Sequence, residues 1–299
     1  MISRRHYFLL AFLSLVICAS LGVSLARAQK TPHTAANRPF EPSEELIYEA
    51  EFSRSLLRKV DVADFKFTAR RSPSTADSKT STSTDQGKTT PDVLRFTGDI
   101  SSKGFFSKLF NLRFRERVES TVDPVSFSVQ NTKRLDEQGK RVRSSEAVFD
   151  TAKGKVVWTE TDPKDPSRTP RVVTSDFTGA VLDVLSAIYF LRTQPLPVGK
   201  NLELLVSDSG RVYQIPVRVI EKKRMKTVLG RVDAVRIDVA LFGERGMVDG
   251  DGQFFIWFTE DSRRIPVSAR IKNHLGTFDI KLKKVLRTAS PQQYLTKQD

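Results

Sequence analysis

The residues that could carry covalent or metal chemistry are few and poorly spaced for it. The 299-residue chain holds one cysteine, Cys18, and three histidines, His6, His33 and His274. Cys18 falls in an N-terminal apolar segment, His6 just before it and His33 in a polar, proline-interrupted stretch, which leaves His274 in "KNHLG". A Ser-His-Asp triad would have to recruit His274, and no Gly-x-Ser-x-Gly elbow supplies its nucleophile. No His-Glu-x-x-His or Cys-x-x-Cys spacing is present, so zinc has no ligand set. "DGDGQFFIWFTE" sets Asp249, Asp251 and Glu260 at the first, third and twelfth positions of a calcium loop. Phe254 occupies the sixth, where glycine makes the sharp turn, and 254–258 reads as a strand. No glycine-rich loop joins a strand to a helix to cradle phosphates. Glycosidase carboxylates meet only in the fold, and the acids here read as residues of turns and outward strand faces. His274 reads as a surface turn residue. The expectation is a non-catalytic protein with no cofactor and no metal.

Binding chemistry has better material. "KGFFSKLFNLRFR" interleaves aromatics with cations, which suits a membrane interface or an anionic amphiphile. Phe105, Phe106, Arg113, Arg115 and Arg117 are its candidate contacts, and Arg113, Arg115 and Arg117 share one strand face. In the alternative reading, Phe105, Phe106 and Phe110 simply close one end of the core. "EKKRMK", residues 221–226, reads as a basic, soluble hairpin tip. "DVLSAIYFLR", residues 183–192, is apolar nearly all round, the mark of a helix in an interior. Its Val184, Ile188 and Leu191 are the candidate contacts for an apolar ligand. Asp176 can cap this helix, Asp183 lies near its positive end, Arg192 near its negative end, and Pro195 with Pro197 stop it.

The elements that must position these residues are strands. In "EELIYEAEFS" Leu46, Tyr48, Ala50 and Phe52 fall on one face and Glu49, Glu51 and Ser53 on the other, the period-two signature of a half-buried strand. "VADFKFTARR" repeats it. Roughly a dozen such segments follow in series with Gly, Asp and Ser turns. The predicted fold is all-β: an antiparallel meander curled into a barrel or half-barrel around one central, largely buried α-helix. Residues 44–288 form one domain, with 29–43 a flexible lead-in and 289–299 a polar tail. Residues 72–92, "SPSTADSKTSTSTDQGKTTPD", lack any large apolar side chain and read as a disordered insertion.

The N-terminus has the build of a secretory signal. Arg4 and Arg5 precede an apolar run from Tyr7 to Val23, and Ala26-Arg27-Ala28 supplies a small-x-small cleavage site after Ala28. A retained membrane anchor is the alternative. Ile17, where a small residue would be needed, argues against lipidation of Cys18. The expected location is therefore the periplasm or the exterior. Removing Arg4, Arg5 and Arg27 takes the net charge from +14 to +11. The mature chain would lack cysteine, which excludes disulfides and thiol chemistry. Its basic balance attracts anionic headgroups, glycans or other polyanions, or else serves solubility alone.

Several blocks together resemble the bacterial domain-of-unknown-function family 3108 (DUF3108), a group of exported proteins. They run in order from "EELIYEAEF" and "FRERVESTVD" through the "DVLSAIYFLR" helix with "PLPVGK" to "IWFTEDSRRIPVSARI" and "GTFDIKL", over about residues 43–287. The bend "LLRKVDVAD" and the length of the 72–92 insertion depart from the family pattern. The family implies no catalytic residues. By analogy, a curved sheet around a helix resembles the periplasmic lipoprotein carriers, whose apolar concave face receives acyl chains. The leading expectation is binding of an apolar or amphipathic envelope component, such as a lipid, within the curved sheet. The competing one is a scaffold acting through its basic surface on a protein or polyanionic partner, and an unrecognised hydrolase is third. Nucleic acid is not expected as a partner, peripheral membrane contact is allowed, and the oligomeric state is not readable. Val184, Ile188 and Leu191 packed flush on the sheet would exclude the lipid reading.

Overall fold

The computed structural model describes residues 38–40, 43–73, 92–104, 113–244 and 246–287. The first eight strands are β1 (Ser43–Arg54), β2 (Leu57–Pro73), β3 (Asp92–Ser102), β4 (Phe114–Val122), β5 (Val129–Gln138), β6 (Arg141–Asp150), β7 (Lys155–Thr161) and β8 (Arg171–Asp176). A two-residue strand, β9 (Leu182–Asp183), leads into the helix α1 (Val184–Thr193). Six more follow: β10 (Asn201–Asp208), β11 (Arg211–Thr227), β12 (Gly230–Val239), β13 (Gly252–Thr259), β14 (Pro266–Asn273) and β15 (Gly276–Arg287). All fifteen belong to one sheet, ordered β8-β7-β6-β5-β4-β3-β2-β1-β15-β14-β13-β12-β11-β10-β9. The first and last long strands pair in the middle of the sheet, so two antiparallel meanders are joined back to back.

Period-two patterning drives this arrangement. β1 alternates strictly, with Glu44, Leu46, Tyr48, Ala50 and Phe52 buried and their neighbours half-exposed. Apolar residues on the concave side converge on one main core that includes Phe96, Val156, Ile215 and Ile237. A second cluster gathers Leu46, Tyr48, Trp257 and Leu282. Each large side chain buried in this way stabilises the fold by about 1.5–3 kcal/mol.

The sheet curls but does not close, so of the two expected forms, barrel or half-barrel, the closed barrel is set aside. Among the described residues no ladder joins β8 to β9 or β10. The β10–β11 turn instead meets β7 and β8 by packing. Gly210, at φ +78°, sits so close that a Cβ there would lie 2.7 Å from Trp158 Cβ and 2.9 Å from Val173 Cβ. Arg134 of β5 crosses the seam to Asp208 of β10 at 2.8 Å, and Val129 N–H donates to Val181 C=O at 3.0 Å.

Several sequence expectations move. The helix cap is Asp183, not Asp176, because Leu182 and Asp183 pair in parallel with β10 and delay the helix start. Residues 221–226 are not a hairpin tip but lie within β11, paired with β12, and the turn falls at Val228–Leu229. Phe40, assigned to the flexible lead-in, is buried in the main core. The 72–92 insertion lies outside the described residues except at its ends, where Ser72 pairs with Val93 and Pro73 with Asp92. The signal segment, Phe105, Phe106 and the residues beyond 287 also lie outside the described residues.

Candidate functional site

α1 has two unlike faces. One carries Tyr189 and Arg192 and is sealed. The Tyr189 ring stacks on Phe96 with centroids 4.2 Å apart, and Phe40 meets both rings edge-on at 5.2 and 5.5 Å. Phe127, held at φ +60° where a bulky side chain is strained, adds a ring 5.8 Å from Phe96. Arg192 is fully buried. Its Nη1 and Nη2 donate to the two carboxylate oxygens of Glu44 at 2.5 and 3.0 Å, and Nη2 also donates to Arg263 C=O at 3.1 Å. Arg287 shares Glu44 at 2.9 Å. The guanidinium also lies 5.5 Å over the Phe40 ring and 5.4 Å over Tyr189.

The N-terminus of α1 is pinned to the sheet through its cap. Asp183 Oδ1 accepts from Ser186 N–H at 2.7 Å, while Ser186 Oγ accepts from Asp183 N–H at 2.9 Å, which completes a capping box. Asp183 Oδ2 accepts from Ser120 Oγ and, at 2.6 Å, from Thr132 Oγ1. β4 and β5 thereby fix where the helix begins.

The opposite face of α1 lines a cavity of about 270 Å³. Val184, Ala187, Ile188 and Leu191 form its helical wall at spacing i, i+3, i+4, i+7. Val184 stays 42 % exposed on a helix that is otherwise in the interior. On the sheet side, Phe67, Phe149, Trp158, Ile215, Phe254 and Ile256 supply the apolar wall. Gly98 leaves room for the Phe67 ring, since a Cβ there would lie 3.3 Å from it, with Leu185 Cδ2 of the helix in ordinary contact at 3.6 Å. Leu241 and Met247, from the loop between β12 and β13, cover one side.

The wall formed by β4, β5 and the end of β10 is polar. Glu116, Thr132, Arg134, Asp183, Ser207 and Asp208 all line the cavity there. Glu116 is only 5 % exposed and its Oε1 accepts no hydrogen bond, although Arg134 Nε lies 3.3 Å away. Burial pushes the Glu116 carboxyl up to about 8; Arg134 opposes the rise, and Asp136 and Asp208 add to it. Burial disfavours the charge on Arg134, but Asp208, which accepts from it at 2.8 Å, outweighs that cost and holds it charged.

The sequence candidates therefore separate. Val184, Ile188 and Leu191 come together on the cavity wall rather than lying flush on the sheet. Arg113, Arg115 and Arg117 are exposed on the convex side, on the face of β4 opposite Glu116, and Arg117 donates to both Asp99 carboxylate oxygens at 2.9 and 3.1 Å. They are not brought to the cavity. Reading the acids as residues of turns and outward faces is corrected by Glu44, Glu116 and Asp183, which point inward. Alternation was the available signal, since Glu116 shares a strand face with Phe114 and Val118. His274 is exposed in the β14–β15 turn, away from the cavity. Among the described residues no three Cys, His, Asp or Glu side chains gather as metal ligands, and no helix is long and apolar enough to cross a membrane.

Comparison with known proteins agrees with this architecture. No curated protein matches the sequence. A solved structure described as a beta-barrel-like protein of domain of unknown function DUF1849, from Brucella abortus, is similar over 85 % of this chain and 100 % of that one. The TM-score is 0.51 at 11 % identity, a likeness of fold alone. The family described as "Protein of unknown function (DUF3108)" matches residues 66–283. That span takes in the cavity walls from β2 to β15 and the whole of α1, and the chain belongs to the DUF3108 family.

Proposed function

We propose that this protein is an exported, non-catalytic binding protein whose half-barrel holds the apolar part of a lipid or similar amphiphile from the cell envelope. The observation that carries the reading is the cavity against Val184, Ile188 and Leu191, walled by apolar side chains on both helix and sheet. Its size, about 270 Å³, lies near the lower end of the ~300–1,000 Å³ usual for ligand pockets and above the ~150 Å³ of an apolar cavity that accepts benzene. A single acyl chain suits that volume better than a multi-chain lipid does. Apolar transfer supplies the affinity, about 0.8 kcal/mol per methylene removed from water. The signal-like N-terminus, with Ala26-Arg27-Ala28 at its end, supports export.

Mass spectrometry of organic extracts from natively purified protein tests this. An amphiphile enriched over extracts of the same protein purified after unfolding is expected. Extracts identical in both would remove the reading. The exposed Arg113 and Arg115 favour a second reading, a scaffold that works through its basic convex surface on a polyanion. Under it, binding to anionic vesicles would weaken when both arginines are changed to serine, and no ligand would be extracted.

A further inference from the structure

We infer that the polar wall of the cavity is a head-group subsite for a protonated primary amine, so that the ligand is a cationic single-chain amphiphile rather than a fatty-acid anion. This rests on the cavity reading above and names the ligand class for it.

Three observations converge. First, the charged side chains lining the cavity are Glu116, Asp183 and Asp208 against Arg134, an excess of carboxyls inside a chain whose total charge is +14. Asp136, paired across the ladder with Glu116, adds a further carboxyl beside them. Second, the carboxyls differ in what they already hold. Asp183 accepts from Ser120, Thr132 and Ser186 N–H, and Asp208 accepts from Arg134 at 2.8 Å and from Ser209 at 3.2 Å. Glu116 Oε1, buried and on the cavity wall, accepts no hydrogen bond and has only a looser charge contact with Arg134 Nε at 3.3 Å. A buried carboxyl oxygen without a hydrogen-bond donor costs about 1–3 kcal/mol, which a ligand N–H can recover. Third, Arg134, the one cation lining the cavity among the described residues, is already directed at Asp208 and Glu116, so an anionic head would meet an acidic wall. An ammonium brings three donors and the opposite sign to that wall.

The protonation of Glu116 makes this measurable. With its carboxyl near 8, most of the protein carries a proton on Glu116 at pH 7. An ammonium favours the carboxylate, so binding expels that proton, and affinity rises as pH rises from 6 toward 8.5. The charged groups facing Glu116 are Arg134 and Asp136 on β5 and Asp208 on β10.

Calorimetric titration with dodecylamine, dodecanol and dodecanoate, each below its micellar concentration, tests the inference. Dodecylamine is expected to bind at least tenfold tighter than dodecanoate. At pH 7 its binding should release close to one proton, read as a dependence of the heat on the ionisation enthalpy of the buffer. Glu116→Gln, with folding checked by circular dichroism, should lower dodecylamine affinity about tenfold, remove proton release and leave dodecanol within about twofold. Dodecanoate binding as tightly as dodecylamine, or dodecylamine binding without proton release by the wild-type protein, would overturn the subsite while leaving the cavity reading intact. If none of the three amphiphiles binds, the cavity reading itself falls and the subsite with it.

Discussion

The two faces of α1 come from ten consecutive residues and meet opposite environments. The Tyr189–Arg192 face is closed by stacked rings and a bidentate ion pair, and it contacts Phe40, Phe96 and Glu44. The Val184–Ile188–Leu191 face looks across about 270 Å³ at the far wall of the half-barrel. A helix needed only as core would be packed on both sides, because interiors leave few voids larger than a water molecule. The contrast gives the first face the work of holding the fold and leaves the second as the wall of the cavity on which the proposed function rests. It also explains why a fully buried arginine is tolerated: Glu44 and Arg263 C=O satisfy it, and it locks the helix so that the other face can stand off the sheet.

Breaking the sealed face should have the largest effect. Arg192→Met leaves the Glu44 carboxylate buried with, among the described residues, only Arg287 as a charged partner, and a loss of about 3–5 kcal/mol in urea unfolding is expected. Adding Glu44→Gln should recover part of that loss. If Arg192→Met costs less than about 1 kcal/mol, the seal is not what fixes the helix.

On the cavity side, Glu116 should make stability depend on pH. Its carboxyl is raised in the folded protein, from an ordinary 4.5 to about 8, so the folded state binds the proton more tightly than the unfolded state does. Stability from this group is therefore complete below about pH 4.5 and is lost as pH rises through about 8. Across that window wild type should lose about 2–3 kcal/mol relative to Glu116→Gln, below the ~1.4 kcal/mol per pH unit that an unrelaxed site would give. Unfolding curves at pH 5, 6.5 and 8 measure it, and parallel behaviour of the two proteins would show Glu116 to be in ordinary solvent contact.

The smallest effect sharpens the sealed face. Tyr189 Oη is buried and accepts or donates no hydrogen bond, while its ring stacks on Phe96. Tyr189→Phe keeps the ring and removes the hydroxyl, so thermal stability should hold or rise by about 1 kcal/mol. A clear loss would mean that the hydroxyl has a partner.

Much of this was legible in the sequence. Alternation in "EELIYEAEF" marks β1, and the all-round apolarity of 183–192 marks an interior helix. The blocks that carry the family resemblance lie on β1, β4, β13 to β15 and α1, with "PLPVGK" in the loop that follows the helix. What could not be read is what links distant positions. Arg134 meets Asp208 across 74 residues and Arg192 meets Glu44 across 148, and each looks like an ordinary surface charge until its partner is known. Local sequence makes Asp176 the cap and puts Asp183 within the start of the helix, and only the pairing of β9 with β10 moves the cap to Asp183. Open versus closed curvature was undecidable for a similar reason. It depends on whether β8 finds a ladder partner, and the tight packing of Gly210 against Trp158 takes the place of one.

The central claim is that the space beside Val184, Ile188 and Leu191 is a ligand site. Its most direct test compares lipid extracts of natively purified wild type and Ile188→Trp, in which a larger ring projects into that space. The account predicts an amphiphile recovered from wild type, strongly depleted from Ile188→Trp, with the melting temperature of the variant unchanged or raised. Equal recovery from both proteins would place the ligand elsewhere and contradict the account.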